Sequence, residues 1–262
     1  LLLFVLIATS ATAQQTSVLF IGNSYPYVNA LPNTFRQLAL SLGDTVNVAM
    51  SAPGGFTFEQ HASYAPTLDA IAAQPWDFVV LQEQSQLGAL PLDVTLTESS
   101  AVQLAQDIEA NYKCTYPVFY MTWGPLADAT GNCANWPEVC TYAGLQAGLR
   151  ANYVQMADYN NGYTSPVGVA WGEVRSTYPS INLYQADGSH PTPEGTYLAA
   201  CVFYSTLFQA SSVGATYIST LQPAPAAILQ DIASSVVLDS AAVGNLDVPN
   251  GTDPHITGMS GA

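Results

Sequence analysis

The sequence predicts an α/β protein: a three-layer α/β/α sandwich built on a five-stranded parallel sheet. Three observations point there. Short, fully apolar runs of β type alternate with longer segments whose apolar residues recur at helical spacing. The apolar runs lack the in-out alternation of a half-exposed sheet, so they read as strands covered on both faces. Several of them end in Gly, Asn, Ser or Gln, the polar chemistry of a strand-to-helix loop.

Ser17-Val-Leu-Phe-Ile21 is the first strand and runs into Gly22-Asn23-Ser24. Leu31, Phe35, Leu38 and Leu42 then share a helix face, and Gly43-Asp44 ends that helix. Val46-Asn-Val-Ala-Met50 is the second strand, closed by Ser51-Ala-Pro-Gly-Gly55. A weaker helix covers about 64–74, and Phe78-Val-Val-Leu81 is a third strand opening onto Gln82-Glu-Gln-Ser-Gln86. Ala101, Leu104, Ile108 and Tyr112 mark one face of the next helix. Val118-Phe-Tyr-Met121 is the fourth strand, followed by a cysteine-containing loop and a helix over about 142–159. Val167-Gly-Val-Ala-Trp171 is expected to be the fifth strand. Thr192-Pro193, a cap followed by Pro at the first helical position, starts a helix through about 209.

At 262 residues the chain suits one large domain, expected over 14–240. Four Lys and Arg against nineteen Asp and Glu give a net charge of −15, so no basic surface is available for nucleic acid or an anionic membrane. With 49% hydrophobic and 9% charged residues the chain can bury a sizeable core, which excludes an acidic disordered tail. Residues 1–13, LLLFVLIATSATA, read as the apolar core and cleavage site of a secretory signal, expected to follow a basic leader upstream. The run is too short to span a bilayer, which takes about 20 apolar residues. Residues 241–262 read as turn chemistry without apolar period, a linker or a truncated continuation.

Export makes disulfides chemically reasonable, and Cys133 and Cys140 bracket a short polar loop suited to one. Cys114 and Cys201 are expected to be buried thiols. A metal site is not expected, because no paired C-x-x-C occurs and His61, His190 and His255 stand far apart.

In an open parallel sheet, ligands bind at the carboxyl ends of the strands. Those ends carry Gly22-Asn23-Ser24, Gly54-Gly55 and the Gln82–Gln86 run, while Asp187-Gly-Ser-His190-Pro191 precedes the last long helix. The order supplies a hydroxyl early and an Asp and His late, the order of some α/β hydrolases, although no G-x-S-x-G elbow is present. A serine hydroxyl needs a base, and His190 suits that role with Asp187 three residues away to orient its ring. Taken singly, Ser24 is a helix cap, Gly54-Gly55 and Asp187-Gly188 are turns, and the Gln run is a solvated strand end. His61 reads as a surface or core histidine before a site residue, the role its place after the Gly55 loop would allow, and Trp123, Trp136 and Trp171 as packing before sugar-stacking platforms.

Together, these residues resemble the blocks of the SGNH (GDSL-like) hydrolases over about 17–210: Gly22-Asn23-Ser24-Tyr25, Gly54-Gly55-Phe56-Thr57, and Asp187-Gly188-Ser189-His190-Pro191. The third block, Leu81-Gln82-Glu83-Gln84-Ser85, is similar to that of secreted bacterial members. The resemblance implies a flavodoxin-like fold and ester hydrolysis without metal or organic cofactor. It makes Ser24 the nucleophile, His190 the base and Asp187 its orienting partner, with the Ser24 and Gly55 amides in the oxyanion hole. The family's Asn after the third strand is missing, and Gln82 is the expected substitute, with Gln84 and Gln86 as alternatives on the same face of an extended segment. The expected substrate is a small ester, such as an O-acetyl group on a polysaccharide. Competing expectations are a lipase or lysophospholipase, and a polysaccharide-binding surface protein that has lost the reaction. A flavin-binding protein fits less well, since the first loop lacks the glycines and hydroxyls that cradle a phosphate.

Overall fold

The computed structural model describes residues 15–89, 94–127 and 136–239. The expected leader at 1–13 and the tail at 241–262 lie outside the described residues, as does Cys133.

Five parallel strands form one sheet: β1 (Thr16–Ile21), β2 (Val46–Ser51), β3 (Phe78–Leu81), β4 (Tyr116–Tyr120) and β5 (Tyr163–Ser165). Their order, β2-β1-β3-β4-β5, is that of flavodoxin-like sheets, with the switch point between β1 and β3. The helices are α1 (Ser24–Tyr27), α2 (Leu31–Ser41), α3 (Phe58–His61), α4 (Ala65–Ala72), α5 (Val94–Asn111), α6 (Tyr142–Tyr159), α7 (Val167–Thr177), α8 (Pro193–Phe208) and α9 (Pro223–Leu238).

Strand periodicity divides the core into two layers. Val18 and Phe20 of β1, Val80 of β3, and Val118 and Tyr120 of β4 face α2, α7, α8 and α9. Their neighbours Leu19, Ile21, Val79, Leu81 and Phe119 face α3 to α6. Both sheet faces are covered, as the continuous apolar runs require. Helix α8 is buried from Gly195 through Phe208, packed between the sheet and the other helices of its layer. Its lack of a polar face follows from that position.

Several local expectations are corrected. Val167–Trp171 is not a strand but the start of α7, and the fifth strand is the shorter Tyr163–Ser165. Tyr112 lies past the end of α5 and is exposed. Helices α3 and α9 were not expected, although Pro223 and the buried series Ala226, Leu229, Gln230, Ala233 and Val237 carry the start signal and the period of α9. Cys201 is buried inside α8, whereas Cys114 is exposed and not a core thiol. Among the described residues no helix is long and apolar enough to cross a membrane.

Candidate active site

Ser24 stands one turn past the end of β1, where Gly22-Asn23 leads the chain out of the sheet into α1. Asn23 caps this helix, its Oδ1 accepting the Tyr25 N–H at 3.5 Å. Its other side-chain atom, Nδ2, donates to the Phe56 carbonyl at 2.9 Å and ties the glycine loop after β2 to the Ser24 turn. In that loop Gly55 adopts φ +73, a left-handed conformation that suits glycine.

His190 arrives from the opposite end of the sequence. The Ser24 Oγ and His190 Nε2 are 2.8 Å apart, although the residues are separated by 166 positions. On the far side of the ring, Nδ1 and Asp187 Oδ2 are 2.5 Å apart. Asp187 Oδ1 accepts the backbone N–H groups of Ser189 at 2.9 Å and His190 at 3.0 Å, so one carboxylate orients both the ring and the backbone that carries it. The hydrogen bond to His190, followed by that from Ser189, holds the Asp187 carboxyl down to about 2. The structure therefore brings together the three residues expected to act on one another.

The loop that presents His190 is fastened from three sides. Gly188, at φ +68, turns it sharply, and its carbonyl accepts the Leu126 N–H at 2.8 Å. Asn29 donates from Nδ2 to the Pro191 carbonyl at 2.9 Å and to Thr196 Oγ1 at 3.0 Å, joining the turn after α1 to the start of α8. The Tyr25 and Ser189 hydroxyls pair at 2.8 Å. The Tyr25 ring presents an edge-to-face contact to His190 and stacks flat on Trp123, which stacks in turn on Trp171. Trp123 also donates from Nε1 to the Ser189 carbonyl at 3.0 Å. Both tryptophans are buried, so their role here is packing under the loop; Trp136 is partly buried against the other core layer.

The block after β3 is placed differently from the expectation. Gln82 lies at the end of β3 beside the Ser24 turn, fully buried. Its Oε1 accepts the Asn23 N–H at 2.9 Å, while its amide nitrogen donates to the Glu83 carbonyl. The side chain thus engages the turn as an acceptor. Gln84 Oε1 accepts the N–H groups of Gln86 at 2.9 Å and Leu87 at 3.3 Å, and the chain turns at Ser85-Gln86. The three glutamines therefore do not line one face of an extended segment. Glu83, missed as a site residue, is buried and accepts the N–H groups of Phe58 and Gln84 and the Thr97 hydroxyl. Burial outweighs these bonds and pushes its carboxyl up to about 7.

His61 is fully buried, with Nε2 2.8 Å from the Gly22 carbonyl and Nδ1 2.8 Å from Thr67 Oγ1. Burial lowers its pKa. Among the described residues no group of three or more His, Cys, Asp or Glu is placed to hold a metal ion.

An imidazole bridging a serine hydroxyl and a carboxylate can take the serine's proton as that oxygen attacks an electrophile. The Ser24 amide, at the first position of α1, has no partner within the helix and is available to a developing oxyanion.

No family model matches the sequence, and no curated protein does. Solved structures do. A DUF4886 family protein from Bacteroides uniformis is 20% identical with a TM-score of 0.75, the match covering 86% of this chain and 95% of that one. A candidate SGNH hydrolase from Slackia heliotrinireducens is 28% identical over 72% of this chain and 97% of the other, with a TM-score of 0.58. An acetyl-xylooligosaccharide esterase from Geobacillus stearothermophilus is 16% identical over 74% and 95%, with a TM-score of 0.53. The chain has the SGNH hydrolase fold.

Proposed function

We propose that the protein is an exported serine esterase that removes a small acyl group, such as an O-acetyl, from a carbohydrate. The observation that carries this reading is the continuous Ser24–His190–Asp187 hydrogen-bonded line, assembled from the two ends of the fold. Ser24 Oγ attacks the acyl carbonyl as His190 Nε2 takes its proton, and Asp187 stabilises the resulting imidazolium. The negative oxygen of the tetrahedral intermediate receives the N–H groups of Ser24 and Gly55. As the intermediate collapses, His190 returns the proton to the leaving alcohol, and the acyl group stays on Ser24 as an ester. A water molecule, deprotonated by His190, then hydrolyses that ester and restores the serine. Gln82 takes the place of a third donor in the chain but serves the Asn23 N–H as an acceptor.

The carbohydrate preference is supported by the esterase among the fold's neighbours, and export by the apolar stretch at residues 1–13. A second reading, a longer acyl chain, is favoured by Leu126, which is 48% exposed and bonded to the Gly188 carbonyl of the His190 loop. A purified chain from residue 14 onward is assayed on p-nitrophenyl esters from acetyl to octanoyl, beside its Ser24→Ala variant. Acetyl preference, lost in the variant with the fold intact, is expected. Octanoyl preference would favour the lipid reading. Full activity in the Ser24→Ala variant would overturn the assignment, and glycan retention without wild-type turnover would identify a binder.

A further inference from the structure

The peptide that joins Gly22 to Asn23 lies one peptide ahead of the one that enters Ser24, the candidate nucleophile, and it leaves the sheet. Strand pairing serves the backbone up to that point: the Gly22 N–H donates to the Ser51 carbonyl at 3.1 Å, and the Gln82 N–H to the Ile21 carbonyl at 2.9 Å. Beyond it, both poles of the Gly22–Asn23 peptide are taken by side chains. The His61 Nε2 lies 2.8 Å from the Gly22 carbonyl, and Gln82 Oε1 accepts the Asn23 N–H at 2.9 Å. We propose that His61 and Gln82 are positioning residues that lock this peptide in one orientation and so fix where the Ser24 hydroxyl points. The inference rests on the esterase reading for its consequence in rate, but not for its geometry.

The proton positions along the network follow from the atoms. A carbonyl oxygen only accepts, so His61 Nε2 carries the hydrogen. In the neutral ring Nδ1 is then an acceptor, and the Thr67 hydroxyl must donate to it across 2.8 Å. Thr67 Oγ1 is in turn free to accept from Ser51 Oγ, also 2.8 Å away. Ser51 is the last residue of β2 and already holds the Gly22 N–H through its carbonyl. The bonds close a ring: Gly22 N–H to Ser51, Ser51 to Thr67, Thr67 to His61, and His61 back to the Gly22 carbonyl. Every side chain in it is buried. Such a ring has one arrangement in which all groups are satisfied, and a flipped peptide would leave a carbonyl facing Gln82 Oε1 and an N–H facing His61. Gly22 is required by the same closeness: a Cβ there would lie 2.6 Å from Gln82 Oε1.

The test has two arms. Imidazole ¹⁵N spectra near neutral pH, assigned by loss of the signal in His61→Phe, are expected to show His61 as the neutral Nε2–H tautomer. An Nδ1–H or doubly protonated ring would overturn the proposal. In the second arm, a fluorophosphonate probe reports Ser24 reactivity well below the melting temperature of each variant. His61→Phe is expected to slow the limiting inactivation rate about tenfold to a hundredfold, with half-saturation little changed, because a small displacement of the attacking atom has that effect. His61→Gln, which keeps a donor for the Gly22 carbonyl, is expected to recover part of the rate. Lower melting temperature with an unchanged limiting rate in His61→Phe would mean that the residue only stabilises the fold, and would overturn the proposal. If wild-type Ser24 does not react, the esterase reading falls. The tautomer and the exchange rate of the Asn23 amide, expected to rise in Gln82→Ala, then decide the lock by themselves.

Discussion

Asp187 shows how much one side chain does in this site: it accepts the ring of His190 and the two backbone N–H groups that shape the loop. Asp187→Asn keeps the size but offers the ring an amide, which stabilises the wrong tautomer and no longer balances an imidazolium. A loss of about a thousandfold in kcat with little change in KM is expected; a change below tenfold would show that the carboxylate only shapes the loop. Glu83 is the opposite case, a carboxyl whose burial outweighs the donors around it. Its folded-state pKa is raised to about 7 from an ordinary 4.5, so the fold favours the protonated form. That contribution is complete below the ordinary value and is lost as pH rises through the raised one, a span of up to about 3 kcal/mol. Glu83→Gln is expected to flatten the fall in unfolding free energy between pH 4.5 and 7, read from urea titrations; an equal slope in both proteins would exclude it. That Ser24, Asp187 and His190 lie together was legible because their residue types, order and loop positions already pointed to one site. Gln82, His61 and Asn29 were not, because their roles depend on which atom faces which neighbour. Sequence specified an amide at Gln82 but not that its oxygen, rather than its nitrogen, meets the Ser24 turn.

At the scale of elements, the long helices were easiest to read: α8 starts where Thr192-Pro193 puts it, and α6 spans the expected 142–159. The error at β5 has a physical cause. A short apolar run such as Val167–Trp171 looks the same as a buried strand or a buried helical turn, and periodicity does not separate them. The true strand has only three residues, and its Thr164 and Ser165 are polar by type yet fully buried at the sheet edge. Two separate elements meet through Asn29, which links the turn after α1 to the His190 loop. Asn29 adopts φ +55, so Asn29→Gly removes the two side-chain bonds without adding backbone strain. It is expected to lower stability by about 1 kcal/mol and kcat severalfold. Unchanged kcat would mean that Gln185, which also donates to the Pro191 carbonyl, holds the loop without help. The cysteines divide in the same way. Burial within α8 pushes the Cys201 thiol up to about 12, while Cys114 is exposed. Ellman's reagent is expected to find Cys114 in the native protein and Cys201 only on unfolding. Further native thiol would argue against a bridge between Cys133 and Cys140.

For the whole molecule, the dominant quantity is charge. Four basic residues stand against nineteen acidic ones, and two of the four serve neutral partners. Arg36 donates to the Asn33 side chain, and Arg175 donates to the Pro125 and Leu126 carbonyls while lying over the Tyr142 ring. Acidic side chains therefore repel one another across the surface with little local compensation, and this repulsion favours the expanded chain. Because the Debye length shrinks from about 30 Å at 0.01 M salt to about 3 Å at 1 M, added NaCl is expected to raise the melting temperature. Lowering the pH from about 8 to about 5 has two opposed parts: Glu83 regains the proton that the fold favours, while His61, whose pKa burial lowers, resists the proton that the unfolded chain takes up. Stability is thus expected to rise as pH falls through the raised Glu83 value and to turn down again where His61 is driven toward protonation. Melting temperature followed over that pH range, at low and high salt, in the wild type and in Glu83→Gln, tests the whole account. A melting temperature that falls with salt would show that attractive ion pairs govern stability. A pH dependence of the melting temperature that is the same in Glu83→Gln would show that the buried carboxyl does not set it.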